Sequence, residues 1–226
     1  MIIILSDFKD SHYLGIMKGI IKSINKDVEI IDLCKVINYS IIEASWVLKN
    51  SYKFFPKGSI FICSIEPKKE KPVAIKTENY FFIGSDNGLM NETIKEDKIE
   101  LIVELEEENN HEQLYAKISA KLSKEFDLLK LGKATKLKNK LNLKNQVMMI
   151  DNFGNIITNI KLLNKDLKKS YKIKNKNVKF YKDFNEAKKN EIFLIKGTSN
   201  TIEICMKEGN ANEKFKFKIG DKVELK

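Results

Sequence analysis

SDFKDSHYLGIMKG (6–19) sets Asp7 just past an apolar run and ahead of a helix start. In open α/β sheets, ligands gather at the carboxyl ends of strands near helix N-termini, and a carboxylate there can accept both hydroxyls of a ribose. The same residues suit a plainer role, because Asp7, Asp10 or Ser11 can cap the helix. SIEPKKEKPVAIK (64–76) puts Glu66 at a strand end among lysines, a pattern that also describes a solvated loop. SDNGLM (85–90) is strong turn chemistry. GTSNTIEIC (197–205) offers backbone donors and acceptors at a Gly-Thr-Ser turn before a strand, an edge able to recognise a flat heterocycle or simply a turn.

MIDNFGNIITNI (149–160) raises a sharper question. A hairpin needs only a turn such as Asn-Gly between its strands. Here Asp151, Asn152, Asn155 and Asn159 surround Phe153, which is more polar and aromatic character than a turn requires. Histidine is scarce, with only His12 and His111. Imidazole is a ready acid or base, yet a lone histidine at a helix start also reads as a surface residue. The sequence has neither GxGxxG nor a P-loop, and no Ser-His-Asp set or metal-ligand spacing can be assembled.

The elements that must position these residues change in kind along the chain. IIIL (2–5), VEIIDL (28–33), SIFICSI (59–65), VAIK (73–76), YFFIG (80–84) and IELIVEL (99–105) read as strands. Helical spacing covers 13–25, 41–55 and 111–130. This alternation predicts an N-terminal α/β layered domain, residues 1–130, with a largely parallel sheet. LGKATKLKNKLNLKNQ (131–146) reads as a lysine-rich, solvated linker. Beyond it, short runs separated by Gly, Asn and charged turns predict an all-β barrel domain over 147–226.

Composition bounds the rest. The 226 residues carry a formal net charge of +10, and all 41 basic residues are lysine. The charge is uneven: residues 1–127 balance at −4, while 147–226 balance at +8. Without arginine's planar fork, base readout is poorly served, which argues against nucleic acid as a partner. No apolar run reaches the ~18 residues of a membrane span, and MIIILSD lacks the basic start of a signal peptide. Three scattered cysteines fit neither a disulfide framework nor a zinc site, and predict a cytoplasmic protein.

The order of the motifs carries more than any one of them. Asp7-Phe8, YLGIMKG, FFPKG, DNGL, DNFGNIITNI, GTSNTIEI and GDKV follow one another along the chain. That series resembles the S-adenosyl-L-methionine (SAM) hydroxide adenosyltransferases, the SAM hydrolases related to the fluorinase and chlorinase. The resemblance implies an α/β domain followed by a β-barrel. It also implies a homotrimer with the ligand between the N-domain of one subunit and the C-domain of the next. Asp7 would grip the ribose diol, Phe153 and Asn155 would line the adenosine pocket, and Asp151 would lie near the amino-acid end. Ser199 and Glu203 would face the adenine side, with Asn87 of DNGL a further substrate contact. The implied reaction is attack of water or hydroxide on ribose C5′, giving adenosine and L-methionine with no metal or other cofactor.

Where the family carries an Asp-Arg-His set, this chain offers Glu66, Lys71 and His111, with Asn110 in the strict position of the histidine. A second expectation from the same resemblance is a catalytically silent adenosine- or SAM-binding protein. A halide-using relative and a basic nucleic-acid-binding module rank below both.

Overall fold

A computed structural model describes residues 1–8, 11–35, 39–65, 70–163 and 167–226. The chain divides into two compact units, Met1–Leu141 and Asn142–Lys226.

In the first unit the strands are β1 (Ile2–Ser6), β2 (Ile30–Lys35), β3 (Ile60–Ser64), β4 (Pro72–Thr77), β5 (Phe81–Ser85), β6 (Ile99–Leu105) and β7 (Gly132–Ala134). The helices are α1 (His12–Ile24), α2 (Ile41–Ser51), the short α3 (Asn91–Ile94) and α4 (His111–Leu122). The seven strands form one sheet in the order β2-β1-β3-β5-β4-β6-β7. Continuous apolar runs make its centre because both faces are covered. Ile2, Ile4, Ile60, Ile62 and Ile83 pack with Met17 and Ile21 of α1 and with Leu114, Tyr115 and Ile118 of α4. On the opposite face, Ile3, Leu5, Phe61, Cys63 and Phe82 pack with Ala44 and Leu48 of α2.

The sheet is mixed, which corrects the expectation of a largely parallel one. β2, β1, β3 and β5 run parallel, but β4 is antiparallel to both β5 and β6, and β7 to β6. Only residues 78–80 separate β4 from β5. A parallel pair needs a crossover of a dozen or more residues, so this pair can close only as a hairpin.

The lysine-rich stretch is partly built into this unit. Residues 132–134 form the edge strand β7, where a Cβ on Gly132 would strike the Glu104 carbonyl. Farther on, the buried Asp86 carboxylate accepts the N–H of Lys138 at 2.8 Å and of Asn139 at 3.4 Å, and Leu137 packs on the core.

The second unit holds β8 (Val147–Ile150), β9 (Ile156–Thr158), β10 (Ser170–Ile173), β11 (Lys176–Phe180), β12 (Ile192–Lys196) and β13 (Ile202–Met206), with one short helix, α5 (Ala211–Phe215). The order is β10-β11-β12-β13-β9-β8, with antiparallel neighbours except for the parallel pair β11–β12. Backbone bonds link the last residues to both ends of this order: Val223 N–H to Asn145 O at 2.7 Å, and Lys172 N–H to Lys226 O at 2.7 Å. The run FKFKI, which reads as a strand, instead ends α5 at Phe215, and Lys216 turns the chain at φ 51°.

Candidate active site

The carboxyl ends of β1, β3 and β5 lie side by side in the first unit. Ser6 is in register with Ser64, and Ser85 follows the Cys63–Gly84 pair. Asp7 continues β1. The structure separates the two readings of this loop: Ser11, not Asp7, caps α1, accepting the Tyr13 N–H at 3.1 Å. Asp7 Oδ2 instead accepts the N–H of Tyr39 at 2.8 Å. Aromatic rings stand nearby in sequence, with Tyr13 5.8 Å from Phe8 and 4.2 Å from His12 between ring centres.

Asn87 is buried and spends its side chain on backbone, donating to Ile65 O at 3.0 Å and accepting from Leu89 N–H at 3.1 Å. It thereby ties the end of β3 to the loop after β5. Glu66 lies outside the described residues. Lys71 is exposed, its ammonium 3.1 Å from Glu107 and 3.4 Å from Glu104. Hydrogen bonds to Glu107 and then Glu104 hold its pKa above the usual lysine range. With those acids and Lys133 it lines an open cavity of about 530 Å³.

His111 opens α4. The Asn110 side chain caps that helix, accepting Gln113 N–H at 3.0 Å, so the strict position is spent on local structure. His111 Nδ1 is buried without a partner, and the ring lies 5.8 Å from that of Tyr115. The ammonium of Lys71 is turned to Glu104 of β6 and to Glu107 just beyond that strand.

Sequence reading missed one polar pair here. Tyr115 and Ser85 share a buried hydrogen bond at 2.9 Å. Burial is the main force pushing the Tyr115 phenol well above its ordinary value. A tyrosine at a helical core position and a serine ending a strand give no local hint that they meet.

In the second unit, Asp151 organises the loop between β8 and β9. Its Oδ1 accepts the N–H of Phe153 at 2.9 Å and of Asn155 at 2.8 Å, and its Oδ2 accepts Asn155 Nδ2–H at 2.9 Å. Gly154, at φ 81°, leaves no room for a Cβ against the Asn210 side chain. The loop therefore presents Phe153 outward, 78% exposed. Asn155 keeps its side-chain oxygen and one side-chain amide hydrogen for other partners.

Glu203 lies close by, since it pairs with Ile157 across β13 and β9. Its carboxylate covers the backbone of Gly197, where a Cβ would collide with it. Burial, and then the charge of Asp151, push the Glu203 carboxyl above its usual range. The 197–201 turn closes with Gly197 N–H to Thr201 O at 2.9 Å, and half-buried Ser199 sits on it. Burial, with Glu203 and Asp151 adding to it, pushes the neighbouring Cys205 thiol up to about 12, so it stays protonated. Asp151, Phe153, Asn155, Ser199 and Glu203 thus fall on adjoining loops and strands of one unit. Among the described residues, no group of three His, Cys, Asp or Glu side chains could hold a metal ion.

Fold and site define a two-unit protein whose first unit has a polar, parallel-stranded carboxyl edge and whose second presents an aromatic-amide loop. The chain belongs to the SAM hydroxide adenosyltransferase family: residues 2–131 match the family's N-terminal domain and residues 145–224 its C-terminal domain. It is 30% identical over 255 aligned positions to the (R)-S-adenosyl-L-methionine hydrolase of Methanocaldococcus jannaschii, covering 100% of this chain and 95% of that protein. It superposes on the crystal structure of an uncharacterized conserved protein from Thermotoga maritima with a TM-score of 0.90 at 25% identity, covering 100% of both chains. A conserved hypothetical protein from Thermus thermophilus shares the fold, with a TM-score of 0.87 at 21% identity over 100% of this chain and 99% of that one.

Proposed function

We propose that this protein hydrolyses S-adenosyl-L-methionine to adenosine and L-methionine. The observation that carries the reading is the match of both units, in order, to the two domains of one family, alongside a relative named for this hydrolysis. The water oxygen bonds to ribose C5′ as the C5′–S bond breaks. The sulfur keeps the electron pair and leaves as the neutral thioether of methionine, and one proton is released. Because the sulfonium is already a good leaving group, the protein's part is to align the reactants and hold the nucleophile with little solvent around it.

Asp7 accepts the ribose hydroxyls, Phe153 packs on the nucleoside, and Asn155, held by Asp151, fixes its edge. Ser199 and Glu203 face the adenine side, and Asn87 shapes the substrate loop. Glu66, Lys71 and His111 surround the nucleophile. The two half-sites come from neighbouring subunits of a homotrimer whose second units are closed barrels. Its free cysteines suit the cytoplasm.

Incubation with each sulfonium epimer of SAM, followed by chromatography for adenosine and methionine, tests the activity. A protein that binds adenosine but releases none from either epimer would overturn it. Sedimentation tests the trimer. One observation favours the second reading, a silent adenosine- or SAM-binding protein: the charge of Lys71 is already paired with Glu104 and Glu107.

A further inference from the structure

The first unit carries a row of buried hydroxyls that no role above uses. Ile2 and Ile4, Ile60 and Ile62, and Ile83 all face α1 and α4. Side chains alternate along a strand, so Ser6, Ser64 and Ser85, two residues on in each case, face the same way. Register sets Ser64 beside Ser6, with Ser85 next across the sheet. Neighbouring strands are about 4.8 Å apart, so the three hydroxyls form a row about 10 Å long. The row lies at the carboxyl ends of parallel strands, where ligands of such sheets bind.

Its hydrogen bonding is unfinished. Ser64 is completely buried, yet its Oγ has no partner. Ser85 is bonded to Tyr115 at 2.9 Å, and one of the two hydroxyl hydrogens of that pair remains to be donated elsewhere. One turn before Tyr115, on the same face of α4, His111 Nδ1 is also buried and unpartnered. Buried polar groups in native proteins are satisfied by protein or by ordered water. A water here would accept from the Ser85–Tyr115 pair and donate one hydrogen to Ser64 Oγ and the other to the imidazole nitrogen, which leaves its second lone pair free.

We propose that Ser64, Ser85 and Tyr115 are positioning residues that seat the attacking water. This rests on the hydrolytic reading above. The hydroxyls fix the water oxygen so that a lone pair points at C5′. As the C–O bond forms and the C–S electron pair leaves with methionine, the proton passes to His111 Nδ1 and then to solvent.

The test compares wild type with Tyr115→Phe, Ser64→Ala and, as a control, Ser45→Ala. The control removes an equally buried, unpartnered hydroxyl from α2 on the opposite face of the sheet. The proposal expects kcat for adenosine release to fall by about tenfold or more in Tyr115→Phe and Ser64→Ala, while adenosine affinity by calorimetry stays within about twofold. Ser45→Ala should match wild type. Wild-type kcat in both site variants, or equal losses in all three, would overturn it. If wild type itself releases no adenosine, the hydrolytic reading fails separately, and a high-resolution crystal structure decides the seat. Water within hydrogen-bond distance of Ser64 Oγ and Tyr115 Oη supports it, and a dry contact there overturns it.

Discussion

Asp151 clasps Asn155 twice, through the backbone N–H at 2.8 Å and the side-chain amide at 2.9 Å. One carboxylate therefore satisfies both ends of the same loop residue, and Phe153 N–H besides. Asp151→Ala would strand the two part-buried Asn155 donors, at a cost of about 1–3 kcal/mol, while water can take the exposed Phe153 N–H. Thermal melts should show the loss, and if Asn155 lines the adenosine pocket, adenosine affinity should fall with it as Asn155 loses its anchor. Asp151→Asn keeps one acceptor oxygen and should lose less. A melt of Asp151→Ala identical to wild type would mean that the clasp contributes nothing.

Phe153 separates binding from stability. With 78% of its surface exposed, the ring contributes little to the core. Phe153→Ala should leave the melting temperature unchanged. If the ring packs on the nucleoside, the same change should weaken adenosine binding by about 1–3 kcal/mol, the usual range for an aromatic platform under a base. Calorimetry reads this directly, and undiminished affinity would remove Phe153 from the pocket.

The parts of the fold legible in sequence are those in which local pattern and burial agree. IIIL and SIFICSI are apolar at nearly every position because β1 and β3 are covered on both faces. The β4–β5 hairpin is hidden for the same reason: VAIK and YFFIG look like parallel core strands, and only the three-residue connection betrays the reversal. Lysine content marks 131–146 as a linker, but pattern alone says nothing of Asp86 reaching across to Lys138 and Asn139. At the site, the 151–155 loop stands out because its polar residues exceed what a turn needs. Ser64, Ser85 and Tyr115 do not stand out, since each is ordinary on its own element and acquires meaning only from strand register and a helix far along the chain.

Lys71 offers a test of which charge assists the reaction. Its ion pairs with Glu107 and Glu104 are exposed, and such pairs contribute little to stability. Lys71→Ala should therefore melt like wild type. If the ammonium acts on the nucleophile, kcat should fall by about tenfold or more while substrate affinity holds. Glu104→Gln combined with Glu107→Gln would release Lys71 from its partners and should leave turnover at least as fast as wild type. An unchanged kcat in Lys71→Ala would assign the lysine to the surface network alone.

If the adenine amino group meets Glu203, stability and binding should respond to pH in opposite directions. Its carboxyl is raised above the ordinary glutamate value of 4.5 by burial first and by Asp151 second. In the unfolded chain this group ionises at its ordinary value, while in the folded chain it holds its proton to higher pH. As pH rises between those two values, the unfolded state is favoured, so stability from this group falls and then levels off once the folded carboxyl has ionised too. Glu203→Gln removes the difference. The melting temperature of the variant relative to wild type should therefore climb as pH rises above the ordinary value of 4.5 and then level off. An amino group donating to the carboxylate has the reverse effect, because it favours the ionised form and binding then releases a proton. Adenosine affinity should rise with pH over that window in wild type and stay flat in Glu203→Gln. Parallel melting curves for the two proteins would show that burial at Glu203 carries no penalty, and equal pH slopes of affinity would move the adenine edge away from this residue.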